Sequence, residues 1–494
     1  SQGMNVVTAA QMRSLEQSLF AKVVDAATLM AQAGWGIACS VRKFFPNPGT
    51  LHLYLGKGHN AGDALSAAQH LRRWGWQIEL HRVYPEIEWA TLTRQQLREL
   101  EAIPQECPSG RGPTVIMEAL LGIGASGPLR EPIREAALSI QAQRSSHAIP
   151  VIALDLPTGV DADSGAVDPA AVIADFTFFI GAPKIGLLRS SAVNHVGRLE
   201  YIPLENLALP DYDSGLRLIT PGSFPQSLPL RAHDFHKGDA GRVTVVAGSC
   251  GMEGAALLCA TSALRVGAGL VTLWVGEKAH AAVVARACPT LMVRSYADWQ
   301  EISLGNADAL VMGPGLGALS EGEFNAMVDL LGKHHGSAVL DADALNAIAR
   351  YQGHQCLQAQ HVITPHPGEF ARLAPLSAER SREDGCAHFT QFNPSVLLLK
   401  GARTLVQQRG KALYHNGTGN AGMASAGMGD VLAGAIAGLQ AQGMNPLTSA
   451  CAGAWICGRA AEISVCSGRQ SALSLVATDL FETIGAALSE WQAR

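Results

Sequence analysis

The stretch Gly419-Asn-Ala-Gly-Met-Ala-Ser-Ala-Gly-Met-Gly-Asp430 joins a run of small residues to an aspartate, and the apolar segment Val431-Leu-Ala-Gly-Ala-Ile-Ala-Gly-Leu439 follows at once. A glycine-rich loop that opens a helix presents backbone N–H groups and the positive end of the helix dipole, which together suit an anion. Asp430 would then lie at the mouth of the helix, where a carboxylate can take a proton from a group held beside that anion. A flexible turn with an N-capping aspartate explains the same residues, so this pattern alone leaves both interpretations open.

The composition indicates a large, multi-domain globular chain. At 494 residues it exceeds the size of a typical single core, and we expect roughly two to four domains. Apolar residues make up 48% and charged residues 16%, which allows large buried cores and argues against wholesale disorder. The net charge of −5 gives no electrostatic basis for binding nucleic acid.

Cysteine usage and hydropathy favour a reducing compartment. The ten cysteines are scattered from Cys39 to Cys466 without a C-x-x-C pair, which fits reduced thiols better than a disulfide or zinc framework. No uninterrupted apolar run reaches membrane-spanning length. Ser1-Gln-Gly precedes Met4 and looks like an addition before the natural start rather than a signal peptide. We therefore expect a cytoplasmic enzyme.

Strand-like runs followed by glycine-rich loops recur through the first half of the chain. The run Leu51-His-Leu-Tyr-Leu55 leads into Gly56-Lys-Gly-His-Asn-Ala-Gly-Asp63, and residues 64–74 are predicted as a helix. Strand, glycine loop and helix form the unit that places phosphates in doubly wound α/β folds, so this half predicts such a fold. Glu118 and Asp155 end two further strands, at the edge where these sheets bind ligands, although a single strand-end acid more often caps a helix.

Taken in order, these segments resemble the NAD(P)H-hydrate epimerase family. The resemblance rests on Leu29-Met-Ala-Gln-Ala-Gly34, Gly58-His-Asn-Ala-Gly-Asp63, Glu118-Ala-Leu-Leu-Gly-Ile-Gly124, Asp155-Leu-Pro-Thr-Gly159 and Lys184. It implies a Rossmann-like domain over residues 4–210 that interconverts the R and S forms of hydrated NAD(P)H. Asp155 and Lys184 are the implied proton-transfer candidates.

The same resemblance implies the ligand contacts of this half. The implied substrate-binding residues are Asp155 and two loops, His59, Asn60, Ala61, Gly62, Asp63 and Gly122, Ile123, Gly124, Ala125, Ser126, Gly127, Pro128. A potassium ion would be held by Asn60, Glu118 and Thr158, whose oxygen atoms are suitable hard ligands.

The chain departs from the family pattern in the first of these loops. The family reads Gly-Asn-Asn-Gly-Gly-Asp-Gly, whereas His59, Ala61 and Ala64 stand here for an asparagine and two glycines. Glu118 replaces an aspartate of the family, and Ala31 replaces a glutamate. Ala61 adds a Cβ where the backbone would approach a phosphate. An active epimerase and a non-catalytic binding module derived from one therefore both remain open for this half.

A boundary and a second α/β domain follow. Residues 207–229 are rich in Pro, Gly, Asp and Ser with little periodicity, which predicts a linker. Strands are then predicted at 242–247, 270–275, 309–312, 338–341, 361–364 and 396–400, each with a polar or glycine-rich exit. Among these exits, Asp341 and Asp343 suit either Mg²⁺ held through water or a helix cap, and Lys400 suits either a phosphate or solvent. His366 could contact a substrate, although a surface loop is the commoner place for a histidine.

The second half resembles the ADP/ATP-dependent NAD(P)H-hydrate dehydratase family, a branch of the ribokinase-like superfamily. The matching motifs are His236-Lys-Gly-Asp239, Gly313-Pro-Gly-Leu-Gly317, Asp341-Ala-Asp-Ala-Leu-Asn346, Thr364-Pro-His-Pro-Gly-Glu369, Leu399-Lys-Gly401 and Gly427-Met-Gly-Asp430. The resemblance implies that the hydrated nicotinamide contacts Ala255, Ala256, Gly317, His366 and Asp430. It implies that ADP or ATP, with Mg²⁺, is bound by Lys400, Gly401, Ala402, Arg403, Thr404 and Gly429.

The order of the two halves is that of a bifunctional NAD(P)H-hydrate repair enzyme, with the dehydratase domain at residues 225–494. Asp430 would be its catalytic base. A ribokinase-like kinase of a small alcohol is the alternative, because it would use the same anion site and base. We expect NADHX, NADPHX and ADP or ATP as small-molecule ligands, no nucleic acid or membrane partner, and a homo-oligomer.

Overall fold

Two units make up the chain in the computed structural model, which describes residues 2–22, 25–106, 110, 112–208, 213–225 and 227–493. One unit is Met4–Ser214, and the other comprises Ser1–Gly3 and Gly215–Arg494. Residues 209–212 and 226 of the predicted linker lie outside the described residues. Within the rest of that stretch, Leu216–Leu218 is a strand of the second unit rather than linker.

The first unit is built on a parallel sheet. The strands of this sheet are β2 (Thr50–Leu55), β3 (Gln77–Arg82), β4 (Thr114–Ala119), β5 (Val151–Leu154), β6 (Phe176–Ile180) and β7 (Arg198–Ile202), and the short strand β1 (Met4–Asn5) at the start of the unit is not one of them. Strands pair in the order β3-β2-β4-β5-β6-β7, and every pair is parallel. All four residues of β5 are buried, as expected for a parallel strand covered on both faces. This is the Rossmann-like arrangement that the sequence predicts.

Helices surround this sheet. They are α1 (Ala9–Ala21), α2 (Ala26–Phe44), α3 (His59–Arg73), α4 (Thr91–Glu101), α5 (Ile133–His147) and α6 (Val193–Val196). Thr8 caps α1, since its hydroxyl accepts a hydrogen bond from the backbone N–H of Gln11. The predicted start of α3 at residue 64 is wrong. This helix begins at His59, so residues 59–63 form its first turn.

Strand order locates one crevice in this unit. The sheet grows from β2 towards β3 on one side and towards β4 on the other, and doubly wound sheets bind ligands at such a switch point. The segments that leave β2 and β4 lie against each other, because a Cβ added to Gly56 would fall 2.0 Å from the carbonyl oxygen of Leu120. The crevice therefore lies where the predicted epimerase loops begin.

The second unit has a larger mixed sheet. Its strands are β8 (Leu216–Leu218), β9 (Arg242–Val246), β10 (Leu270–Gly276), β11 (Met292–Tyr296), β12 (Ala309–Met312), β13 (Ser337–Leu340), β14 (His361–Ile363), β15 (Val396–Leu399), β16 (Leu405–Gln407) and β17 (Leu413–His415). Within this unit they run in the order β8-β17-β16-β15-β14-β13-β12-β9-β10-β11. Pairing is parallel from β11 to β15 and antiparallel from β15 to β17. The six predicted strands are present with nearly the predicted bounds, and the switch point lies between β9 and β12.

Helices pack beside this sheet, and small residues allow two of them to approach closely. The helices are α7 (Glu253–Arg265), α8 (Glu277–Arg286), α9 (Glu321–Lys333), α10 (Asp343–Arg350), α11 (Pro367–Leu373), α12 (Pro375–Ala378), α13 (Arg382–Phe392), α14 (Met428–Ala441), α15 (Pro446–Cys466) and α16 (Ile484–Gln492). A Cβ on Gly434 of α14 would fall 1.9 Å from the carbonyl oxygen of Cys259 on α7, so glycine permits this close packing. Across the described ranges, every helix falls short of the length and apolar character that crossing a membrane requires.

Candidate active sites

Asp430 stands in the first turn of α14, directly after the glycine-rich stretch. Gly427 caps the helix with a φ of +89°, a left-handed conformation that favours glycine. The first helical hydrogen bond runs from the N–H of Val431 to the carbonyl of Gly427. The N–H groups of Met428, Gly429 and Asp430 therefore precede the helical ladder and point out of the helix end. This is the geometry of an anion-binding helix terminus.

Three acids and one lysine meet beside this helix end. Lys400 Nζ lies 3.2 Å from Asp341 Oδ1, and the hydroxyl of Thr364 donates to the same oxygen at 2.9 Å. Burial raises the pKa of Asp430 to about 7. Asp341 adds to the rise, Lys400 opposes it, and Glu369 adds a smaller contribution. A carboxyl group that titrates near neutral pH suits proton transfer.

Lys400 links the acids to the backbone of the helix. Burial lowers the pKa of its ammonium group, but Asp341, Glu369 and Asp430 outweigh that effect and raise it overall. A Cβ on Gly429 would lie 2.9 Å from Lys400 Nζ, so the lysine rests against the bare backbone there. A charged lysine and the helix N–H groups can therefore hold the same phosphate.

The loop after β15 is held by an arginine that the sequence analysis did not single out. The guanidinium of Arg382 donates to the carbonyls of Leu399, Lys400 and Arg403 at 3.4, 3.2 and 3.0 Å. Arg403 itself is 6% exposed and donates to the carbonyl of Asn416 at 3.3 Å. Among the predicted nucleotide residues, Arg403 thus turns inward, whereas Gly401 and Ala402 are exposed.

The loop after β12 lies against the start of α7 at the switch point. Gly315 has a φ of +65°, and a Cβ there would fall 2.9 Å from Cβ of Ala255. The N–H of Gly317 donates to Asp343 Oδ2 at 2.7 Å, so Asp343 holds this loop and does not cap α10. Ala256 is fully buried. Of the two predicted alanines, Ala255 is therefore the one that contacts the glycine loop.

His366 begins α11 instead of lying in a surface loop. Its Nδ1 accepts from the N–H of Glu369 at 3.1 Å, and Glu369 Oε1 accepts from the N–H of His366 at 3.0 Å. The imidazole is 52% exposed, whereas the glutamate is buried. This reciprocal cap leaves one face of the ring open to a ligand.

The first unit contains a cavity of about 380 Å³ at its switch point. Its wall consists of Glu16, Lys57, Gly58, His59, Asn60, Asp63, Tyr84, Leu120, Leu121, Gly122, Ile123, Asp155 and Ile180. Six predicted substrate residues come together here, namely His59, Asn60, Asp63, Gly122, Ile123 and Asp155. Residues 124–128 are exposed. Gly62 faces α2, where a Cβ would fall 2.5 Å from Met30 Cε.

Asp155 and Lys184 form a buried ion pair behind the cavity wall. Lys184 Nζ donates to Asp155 Oδ1 and to the carbonyl of Ile180, the latter at 2.9 Å. The side chain of Lys184 is only 1% exposed, so Asp155 lies between its ammonium group and the cavity. Asp155 has a φ of +66°, a conformation that aspartate and asparagine tolerate better than most residues.

Glu16 of α1 faces the same cavity and was missed from the sequence. Burial raises its pKa, and Asp155 adds to that rise. Burial likewise raises the pKa of Asp63 well above its usual value, with Asp155 and then Glu16 contributing. The signal was present, because Glu16 follows Met12 and precedes Leu19 at helical spacing and so falls on the apolar face of its helix.

Two of the predicted potassium ligands, Glu118 and Thr158, are hydrogen-bonded to each other. Glu118 is fully buried, and its carboxylate accepts from the N–H of Leu120 and from both the N–H and the hydroxyl of Thr158. Burial raises the pKa of Glu118 to about 7, against the effect of these neutral donors. Asn60 Nδ2 donates to the carbonyls of Leu121 and Leu154 at 3.0 and 3.3 Å. A buried carboxylate beside carbonyl and hydroxyl oxygens fits a hard monovalent cation.

Comparisons with known proteins match both units. A family model described as NAD(P)H-hydrate dehydratase matches residues 243–485, and one described as YjeF-related protein N-terminus matches residues 26–186. A protein of Coxiella burnetii described as a bifunctional NAD(P)H-hydrate repair enzyme is 33% identical, over 95% of this chain and 96% of its own length. An Escherichia coli protein of the same description is 34% identical, over 92% of this chain and 88% of its own.

A solved structure supports the fold of the second unit. It is a ribokinase-like superfamily protein of Enterococcus faecalis, 26% identical, with a TM-score of 0.50. The match covers 58% of this chain and all of that one. The ribokinase-like α/β fold predicted for the second half is thereby confirmed.

Proposed function

The chain belongs to the family of bifunctional NAD(P)H-hydrate repair enzymes, and from that premise we propose that residues 4–210 carry the epimerase and residues 225–494 the dehydratase. The protein repairs hydrated nicotinamide cofactors: it epimerises R- and S-NAD(P)HX and dehydrates S-NAD(P)HX to NAD(P)H with hydrolysis of ADP or ATP. For the residue roles in dehydration, the supporting observation is Asp430 at the open end of α14, beside Lys400 and with its pKa raised to about 7.

Asp430 is the base of the dehydration. It takes the proton of the ring hydroxyl, whose oxygen then attacks the terminal phosphorus of the nucleotide and displaces the rest of the nucleotide. The hydroxyl becomes a phosphate ester. The C–O bond then breaks, phosphate leaves with the electron pair, and loss of a proton from the neighbouring ring carbon restores the double bond. Lys400 and the N–H groups of Met428 and Gly429 stabilise the phosphate charge. Ala255, Gly317 and His366 line the nicotinamide side.

The nucleotide follows the loop after β15, where residues 400–404 present their backbone. Glu369 and Asp341 place excess negative charge beside Asp430, which raises its pKa. This charge fits Mg²⁺ delivered with ADP or ATP, since the ion prefers oxygen ligands and keeps several waters. When bound, Mg²⁺ would offset phosphate charge.

Acidification should slow dehydration because Asp430 must be ionised to act. We expect kcat/KM for S-NADHX to fall about tenfold per pH unit below an apparent pKa of about 7 and to level off above it. Initial rates measured from pH 6 to pH 9 with saturating nucleotide test this. A kcat/KM that stays level from pH 9 down to pH 6 would contradict the assignment.

Gly429→Ala should weaken nucleotide binding. Its Cβ would fall 2.9 Å from Lys400 Nζ and displace the lysine from the phosphate, so we expect KM for ADP or ATP to rise about tenfold or more. Gly322→Ala is the matched control, because Gly322 is likewise the second residue of its helix and its nearest neighbour there is Ser320 Oγ at 4.0 Å. Equal KM values for the two variants would refute a phosphate site at Gly429.

The epimerase works in the cavity of the first unit. Inversion at the hydroxyl-bearing carbon proceeds by loss and return of water. A donor protonates the hydroxyl, the C–O bond breaks as the lone pair of the ring nitrogen forms an iminium, and water then adds to the opposite face and gives a proton to an acceptor. Asp155, charged beside Lys184, is the acceptor, and Glu16 or Asp63, whose pKa values burial raises, is the donor. Lys184 holds Asp155 in place and does not itself touch the substrate.

Asn60, Glu118 and Thr158 would hold potassium, which would supply a counter-charge to the buried Glu118 carboxylate. Replacing K⁺ with tetramethylammonium should slow R-to-S conversion about tenfold, because the buried Glu118 loses its counter-charge. Glu118→Gln, which removes that charge, should make the remaining rate insensitive to K⁺. Dehydration by the same samples is the control. An epimerase rate that is equal with and without K⁺ would rule the ion out.

The direct test of the whole function uses purified S-NADHX and R-NADHX. We expect S-NADHX with ADP or ATP to regain the reduced-nicotinamide absorbance, and R-NADHX to do so through epimerisation. A ribokinase-like kinase would leave the phosphate esterified in its product, whereas repair releases free phosphate. The similarity of the chain to repair enzymes does not favour the alternative of a small-alcohol kinase. If the first unit were a binding module without catalytic activity, R-NADHX would convert to the S form only at its spontaneous rate.

A further inference from the structure

A cluster of two histidines and one glutamate stands on the first unit's sheet, outside the cavity. His52 of β2 is paired with Glu79 of β3 in the parallel register. His81 follows Glu79 by two residues, so both side chains stand on the same face of β3, and paired residues of neighbouring strands share that face. β3 is the edge of the sheet. The three side chains therefore converge at one exposed corner of the unit.

The ligand atoms already have the separations of a metal's first coordination shell. His52 Nδ1 lies 3.0 Å from His81 Nε2 and 3.4 Å from Glu79 Oε2, and the three atoms lie within 4.8 Å of one another. With metal–nitrogen and metal–oxygen bonds of about 2.0–2.2 Å, tetrahedral ligands stand about 3.3 Å apart. Only the partly exposed Glu79 would need to adjust.

Neighbouring residues hold the imidazoles in place. The ring of Tyr54 stacks on His81 with centroids 4.3 Å apart and an interplanar angle of 3°. Tyr54 is itself fixed, because Gln143 Nε2 donates to its hydroxyl at 2.5 Å. The side chain of His52 is 20% exposed, whereas that of Glu79 is 45% exposed. The stacked ring of His81, the partly buried ring of His52 and the exposed carboxylate of Glu79 leave a fourth position open for water.

We propose that His52, Glu79 and His81 bind one Zn²⁺ or a similar borderline divalent cation. Two imidazoles and a carboxylate favour zinc, nickel, cobalt or copper over Mg²⁺ and Ca²⁺, which prefer oxygen alone. The bound ion would cross-link β3 to β2. β3 leads to Tyr84 on the cavity wall, where Lys57 Nζ lies 4.4 Å from the ring centroid. The bound ion would thus attach the edge strand β3, which leads to one side of the cavity wall, to its neighbour β2.

The test is a metal titration of the full chain, free of affinity tags and stripped with a chelator. Isothermal calorimetry with Zn²⁺ should show a site that Mg²⁺ and Ca²⁺ do not fill. His52→Gln and His81→Gln should each weaken that site at least about tenfold, and Glu79→Gln should weaken it measurably. His147→Gln, which changes an exposed histidine at the end of α5, should leave it unchanged.

Two comparisons keep the result interpretable. The circular dichroism spectrum and its thermal transition show whether each variant is folded, and R-to-S conversion reports on the first unit, which contains these residues. Exposed thiols such as Cys250 and Cys288 are present in every variant, so binding at them appears equally in all. Zinc binding that is the same in wild type and in the His52→Gln, His81→Gln double variant would overturn the proposal. So would a wild-type protein that binds no zinc.

Discussion

Asp430→Asn should lower dehydration of S-NADHX by about 10³-fold or more while nucleotide still binds. Asparagine keeps the shape of the side chain but cannot accept the hydroxyl proton, and a general base contributes about 10²–10⁴-fold. Phosphate binding should persist, because Lys400 and the N–H groups of Gly429 and Met428 do not depend on the carboxylate. Turnover is followed at the reduced-nicotinamide band and nucleotide affinity by calorimetry.

The folded state should tolerate this change well. The pKa of Asp430 is raised from 3.8 in the unfolded chain to about 7, so the folded protein binds more protons between those pH values. Stability contributed by this group therefore falls as pH rises through that window, and the ionised aspartate is destabilising at neutral pH. Asp430→Asn should be at least as stable as the wild type at pH 8. Asp329→Asn, on the exposed side of α9, is the matched control. Near-normal turnover in Asp430→Asn would exclude Asp430 as the base.

Asp155→Asn should lower R-to-S conversion by about 10²-fold or more and leave dehydration of S-NADHX unchanged. The reason is loss of the proton acceptor in the cavity. Asparagine is the informative replacement because it tolerates the positive φ of residue 155, whereas alanine would add backbone strain. Conversion is measured by coupling R-NADHX to an excess of wild-type dehydratase activity.

Asp155→Asn is also expected to destabilise the folded protein, so a second variant, Lys184→Met, is compared with it. Removing Asp155 leaves Lys184 buried without its counter-ion, which costs about 3–5 kcal/mol if the lysine stays charged. Lys184→Met keeps the length of the side chain and removes that charge. If Lys184 only positions Asp155, Lys184→Met should lower kcat and leave KM nearly unchanged. A folded Asp155→Asn protein that epimerises normally would show that the acceptor lies elsewhere.

The positions of residues at the ends of the strands could be predicted from sequence, because the topology of a parallel sheet places these ends along one edge of the sheet. Parallel strands bring their carboxyl ends together, so Asp155 in the first unit and Asp341 and Lys400 in the second were found from sequence. The glycine before α14 was predictable for a local reason, since a left-handed cap favours glycine. The structure adds the contacts, such as Lys400 Nζ against Asp341, that a linear pattern cannot specify.

Features that depend on packing between distant segments were not predictable. Helical spacing places Glu16 on the buried face of α1, but nothing in that helix indicates that Asp63 and Asp155 face the same cavity. Lys184 was predicted to transfer a proton, but its burial makes it a partner of Asp155. The early start of α3 at His59 also escaped prediction, because glycine and histidine are weak helix formers that tertiary packing overrides.

The guanidinium of Arg382 has a consequence for how this enzyme can evolve. It contacts the carbonyls of residues 399, 400 and 403, which every amino acid possesses. Substitutions at exposed positions such as Ala402 should therefore leave the path of this loop unchanged. Substitutions should therefore be tolerated within the loop and poorly tolerated at Arg382, a helix residue that precedes it and holds its backbone.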